Sequence, residues 1–128
     1  MKNKRQHSGF ASITLIIFVL IALTITTAAT FALITNATAS SQLEQSSIAL
    51  DIANSGVENG QVRFMRDPVN YTGETLPLYG GVAVITMPDR QTLRSQGTYK
   101  NYVRTIQIET TDYINTNNLS INSWQEIY

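Results

Sequence analysis

Few side chains in this chain could do chemistry, and their positions narrow what that chemistry would be. The single histidine is His7, close to the start, and there is no cysteine anywhere. Nucleophile activation by histidine, thiolate chemistry and a His/Cys metal centre therefore lack their essential members beyond His7. The carboxylates are scattered, and no Gly-rich phosphate loop is present. One loop gathers oxygen donors: Asp112, Asn115, Asn117 and Asn118. A lone carboxylate is thin for a hard cation and the spacing matches no EF-hand, so a turn built from Asn and Asp is the expected use, with calcium as the alternative. Asn36-Ala37-Thr38, Asn70-Tyr71-Thr72 and Asn118-Leu119-Ser120 fit the glycosylation acceptor pattern, which arises often by chance in Asn- and Thr-rich chains. Trp124 and the tyrosines at 71, 79, 99, 102, 113 and 128 are expected in core or edge packing of a small sheet, with a sticky surface patch as the alternative. The sequence assigns no catalytic residue, cofactor or metal.

What the elements must position is clearer. Lys2, Lys4 and Arg5 form a basic knot, and no charge follows until Glu44. The 26 residues from Phe10 to Thr35 are apolar apart from scattered Ser and Thr. As a helix they would measure roughly 39 Å, against a hydrocarbon core of about 30 Å. The flanking cations favour the cytoplasmic side, which sends the C-terminus outward. The threonines in this stretch can bond back to the preceding turn, or can form a packed helix–helix surface. Ala37-Thr38-Ala39 offers ordinary signal peptidase a site, but a cleaved signal carries an apolar run of only about 7–15 residues. A plain uncleaved anchor is the other alternative.

The chain has nine basic and nine acidic residues, yet residues 1–9 carry a net +3 and the rest a net −3. A weakly acidic body argues against a nucleic-acid partner.

The order of basic residues, Gly9, Phe10 and a long apolar helix resembles the class III leader of type IV pilins and pseudopilins. The resemblance implies cleavage by a prepilin peptidase between Gly9 and Phe10, with N-methylation of the new terminus. Most pilins carry Glu four residues after that terminus; here the position is Thr14. The string "GFASIT" is similar to the start of PilX-type and K-type minor pilins, which often lack the acid and are placed at or near the filament tip. "SSIALDIANSGVENGQVRF" resembles the helical segment following the anchor in PilX-type proteins, around Ala53, Gly56, Val57 and Glu58. The resemblance covers about residues 5–66.

Beyond the anchor the periodicity continues to predict helix. Ile48, Ile52, Gly56, Val57, Gly60 and Phe64 recur at spacings of three and four, with Glu44, Asp51, Glu58 and Arg63 mostly between them. Gly56 and Gly60 each cost about 1 kcal/mol in an exposed helix, so something should approach them closely. A sheet of the same chain or a neighbouring helix would serve. Arg66-Asp67-Pro68 ends the run. Three strands are then expected, over 81–87, 98–111 and 119–128, with Leu119, Ile121 and Ile127 on one face. Val69–Glu74, Tyr79–Gly81 and Ser95–Gly97 read as turns or links.

The expected fold is α+β: a long N-terminal helix packed on a small antiparallel sheet. The expected parts are a leader (1–9), a transmembrane segment (10–35), an amphipathic helix (36–66) and a sheet region (67–128). The expected function is a minor structural subunit of a type IV pilus or secretion pseudopilus, at the tip or in an initiating complex. Its partners would be other pilins or pseudopilins, the prepilin peptidase and the membrane assembly machinery. The alternative is a single-pass anchored or secreted binding domain with no filament role.

Overall fold

A computed structural model describes residues 6–111 and 119–127. The leader residues 1–5, the Asn-rich loop 112–118 and the two tyrosines Tyr113 and Tyr128 lie outside the described residues. The order of elements is one helix, α1 (Gln6–Arg66), then five strands: β1 (Gly73–Leu78), β2 (Gly81–Thr86), β3 (Thr92–Tyr99), β4 (Tyr102–Thr110) and β5 (Ile121–Ile127). The chain divides into two units, one ending at Ser41 and the other beginning at Gln42.

The first unit is helical from Gln6 onward. Its large apolar side chains, from Phe10 to Ile34, are exposed on every side of the helix. Among the described residues this is the one helix long and apolar enough to cross a membrane. Its threonines do not interrupt it, because their hydroxyls donate to carbonyls of the preceding turn. Thr14 donates to Phe10 at 2.9 Å, Thr26 to Ala22 at 2.7 Å, Thr27 to Leu23 at 2.7 Å and Thr30 to Thr26 at 2.9 Å. A hydroxyl satisfied in this way costs little in hydrocarbon.

The second unit packs the helix from Gln42 to Arg66 on the sheet. The strands pair antiparallel in chain order, β1-β2-β3-β4-β5, each bonded to its sequence neighbours. Ala49, Ile52, Ala53, Val57 and Phe64 of the helix are buried, and so are Ala83, Ile85, Leu93, Ile106 and Ile108 of the sheet. This is the α+β arrangement expected, with the 3.6-residue period and the period of two meeting across one apolar layer. Arg63 and Arg66 stand in the last helical turn, where cations favour the dipole. Asp67 then accepts the Asn70 N–H at 3.1 Å and Pro68 turns the chain away.

The strand count corrects the sequence reading: among the described residues there are five, not three. β1 is hidden by Pro77 and by Gly73, which has a φ of +124°. Proline is tolerated there because β1 lies at the edge of the sheet. β3 is hidden by Ser95 and Gly97, which read as a link but sit mid-strand beneath the helix. The stretch 98–111 is two strands, divided at a turn around Lys100 and Asn101.

The face assigned to Leu119, Ile121 and Ile127 is also corrected. Leu119 precedes β5, and a bulge at Glu109/Thr110 shifts the register so that Ile108 pairs with Trp124 while Thr110 pairs with Ile121. The extra residue breaks the alternation on which a single face depends. Ile127 pairs with Thr105 and lines the outer face with Val84, Thr86, Arg94 and Gln96. Ile121 is 44 % exposed, so Ala83, Ile85 and Leu93, rather than Ile121, complete the surface opposite the helix.

Candidate functional site

The residues singled out in the sequence fall into two groups that belong to different units. Gly9, Phe10 and Thr14 lie in the first. Phe10 is exposed, and its carbonyl holds the Thr14 hydroxyl. No carboxylate stands at position 14, and the hydroxyl there is bonded within its own helix. Ile48, Ile52, Gly56, Val57, Gly60 and Phe64 lie in the second unit. All but Ile48 are buried, and Ile48 is half-buried.

The seam between helix and sheet is set by close approach. A Cβ on Gly56 would collide with the Ser95 hydroxyl and the Ala83 methyl, and one on Gly60 would press on Ile85 and Leu93 at 3.0 Å. The sheet of the same chain therefore occupies the face that carries these glycines. Gly97 completes the fit from the other side. A Cβ there would run into the backbone of Ala49 and Ala53. Small residues on both surfaces let the helix backbone rest directly on β3. Ser95 is fully buried beside Gly56, and its hydroxyl has no hydrogen-bond partner.

Two charged fasteners, which the sequence reading missed, close the seam at its margins. Arg104 of β4 forks onto Glu126 of β5, its Nη2 donating to Oε2 at 2.7 Å and its Nε to Oε1. Its Nη1 donates to the Ser46 hydroxyl of the helix at 2.8 Å. Bidentate pairing of this kind is among the stronger charged contacts. A signal was present: Arg104 alternates in phase with Ile106 and Ile108, and a guanidinium on an apolar face calls for a carboxylate. At the other margin Arg63 lies 2.9 Å from Glu74, and Glu74 also accepts the Tyr71 hydroxyl at 3.1 Å. Burial, together with that bond to a carboxylate, pushes the Tyr71 phenol above its ordinary range. At the β2–β3 link, Asp89 accepts the Gln91 N–H at 2.8 Å and the Thr92 hydroxyl at 3.0 Å, and these bonds hold its carboxyl below the usual range.

No cluster of three metal-ligating side chains occurs among the described residues. The arrangement is a small helix–sheet body on a chain whose N-terminal helix is long and apolar enough to cross a membrane. The class defined is therefore a long apolar N-terminal helix with an α+β unit. No family model matches the chain, and no curated protein or solved structure matches it either.

Proposed function

We infer that the chain is a minor structural subunit of a type IV pilus or secretion pseudopilus. It is made as a single-pass protein of the cytoplasmic membrane, N-terminus inside and C-terminus outside, and then passes into an extracellular filament. A prepilin peptidase cuts between Gly9 and Phe10, the new terminus is N-methylated, and the membrane assembly machinery draws the subunit out among other pilins or pseudopilins. The observation that carries this reading is the order of parts: basic leader, Gly9-Phe10, a charge-free helix, and a helix whose stripe from Ile48 to Phe64 packs on an antiparallel sheet. The mature protein will begin at Phe10, measured by intact mass and N-terminal peptide mapping. A start at Ser40 would replace this reading with ordinary secretion, and a start at Met1 with a plain anchor. Gly9→Ala will slow processing modestly, and a bulky residue there will block it.

Thr14 supports a position at the tip or in an initiating complex. An acid at this position would give an in-membrane ion pair with the amine of a subunit already assembled, and an unpaired charge there is costly. Thr14 cannot make that pair, while the Phe10 amine remains available to the acid of a later subunit arriving beneath it. Such a chain suits the start of a filament and not its repeating shaft. Labels on the exported unit will therefore mark isolated filaments sparsely, at ends. Regular decoration along their length would defeat the tip assignment even with processing at Phe10 intact. Deletion will lower filament number more than it alters filament structure.

A further inference from the structure

We propose that the outer edge of β5 is a docking site for an extended segment of another polypeptide, which adds to the sheet as a further strand; such a site serves a filament subunit and an anchored binding domain alike. Among the described residues β1 and β5 each pair with one neighbour only. Each therefore leaves a row of backbone N–H and C=O groups turned away from the sheet. On β1 that row is interrupted, because Pro77 removes a donor and Gly73 opens the strand at a φ of +124°. β5 has no proline, glycine or lysine. Its one charge is Glu126, and the Arg104 guanidinium forks onto it. Of the devices that blunt an edge, β5 carries only the bulge at its start, and Ser123 to Ile127 pair with β4 without a break.

The apolar layer continues onto this edge and stops uncovered. One row crosses the sheet on the helix side through Leu93, Ile108 and Trp124. Leu93 is 2 % exposed and Ile108 0 %, whereas Trp124 is 43 % exposed. Beyond the bulge Ile121 pairs with the buried Thr110 and is itself exposed. The layer beneath the helix thus runs one strand past its cover. A strand laid along β5 would set a side chain about 4.5–5.5 Å from Trp124 and close that row.

The edge defines the chemistry of its occupant. A helix spends its N–H and C=O groups internally, so only an extended chain can meet a row of free main-chain groups. Side chains alternate across a strand, and Ser123, Gln125 and Ile127 lie on the face of Glu109, Gln107 and Thr105, away from the helix. The incoming segment is therefore free of proline and alternates with a period of two. It is apolar opposite Trp124, neutral opposite Glu126 and polar opposite Ser123 and Gln125.

A second copy of the chain fits this edge poorly. Among the described residues it offers β1, which is interrupted, or β5 itself. Two antiparallel β5 strands centred on Gln125 set each Trp124 against Glu126 of the other copy, an indole against a carboxylate. Centred on Trp124, they carry the pairing into the bulge, where Asn122 and Ile121 no longer alternate.

Trp124 is the single tryptophan, so its fluorescence reports on this edge in the full-length protein held in detergent micelles. The probe is a peptide with the sequence of β4, Tyr102–Thr110, whose side chains already match β5 in antiparallel register. Two further forms are N-methylated on alternate backbone nitrogens, one at even and one at odd positions. A strand turns alternate N–H groups to opposite sides, so one form keeps a complete pairing edge and the other loses it. The expected result is a saturable blue shift with the unmodified peptide, kept by one methylated form and weakened about tenfold or more in the other. Equal binding by the two methylated forms, or loss of binding by both, overturns strand addition. No shift with the unmodified peptide overturns the site. A blue shift on raising the protein concentration alone overturns the foreign partner in favour of a second copy.

Discussion

Gly97→Val will cost the helix–sheet unit at least about 3 kcal/mol, because the new side chain must enter space filled by helix backbone. A Cβ at Gly97 meets Ala49 and Ala53 main-chain atoms, which have no rotamer to escape into. The helix must lift from β3, and lifting it uncovers Ile52, Ala53 and Val57 together. In a unit of this size the loss lowers the melting temperature by roughly 10–25 °C. Gln96→Val is the control. Its neighbouring side chain points to the exposed face, so the change will stay within about 0.5 kcal/mol. Thermal unfolding followed by circular dichroism compares the two. Coincident transitions would show that the helix does not rest on β3.

Phe64→Ala will cost about 3–5 kcal/mol, the range for a large buried side chain whose removal leaves a cavity. Phe64 is 3 % exposed and shares its surroundings with Pro68, Tyr71 and Met87, at the end of the seam where the helix gives way to the turn. Two rigid prolines nearby, Pro68 and Pro88, limit how far the site can collapse. Phe64→Leu will recover most of the loss by refilling the volume. An unchanged melting temperature for Phe64→Ala would take Phe64 out of the core.

The helix and its buried stripe were legible because both follow one period. Ile52, Val57 and Phe64 recur at helical spacing, and Gly56 and Gly60 signalled a close neighbour without saying which. The sheet was only half legible. β2 and β4 carry dense β-branched residues, so their alternation shows. β1 and β3 do not, and the reasons are tertiary: an edge tolerates Pro77, and a helix lying on the strand demands Gly97. Neither demand can be seen without the partner surface. The same holds for β5, where one bulge reverses the faces that simple alternation predicts. Of the candidate site, the stripe was readable and the fasteners were not, since Arg104 meets Glu126 only through the β4–β5 pairing and Ser46 only through the fold.

The order of the strands bears on how the unit can be built. In β1-β2-β3-β4-β5 each strand lies beside the one made just before it, so none has to be inserted between two that are already paired. A chain delivered from its N-terminus can add hairpins one at a time at a single growing edge, with the helix as the first surface laid down. In chain order the contacts that tie the sheet back are Gly97 against Ala49 and Ala53, then Arg104 to Ser46, and Glu126 of β5 onto Arg104. Within the sheet, loop-closure entropy is met in small steps between strands that are sequence neighbours. The final strand is joined to the sheet through β4 alone, by its ladder and by the fork of Arg104 on Glu126.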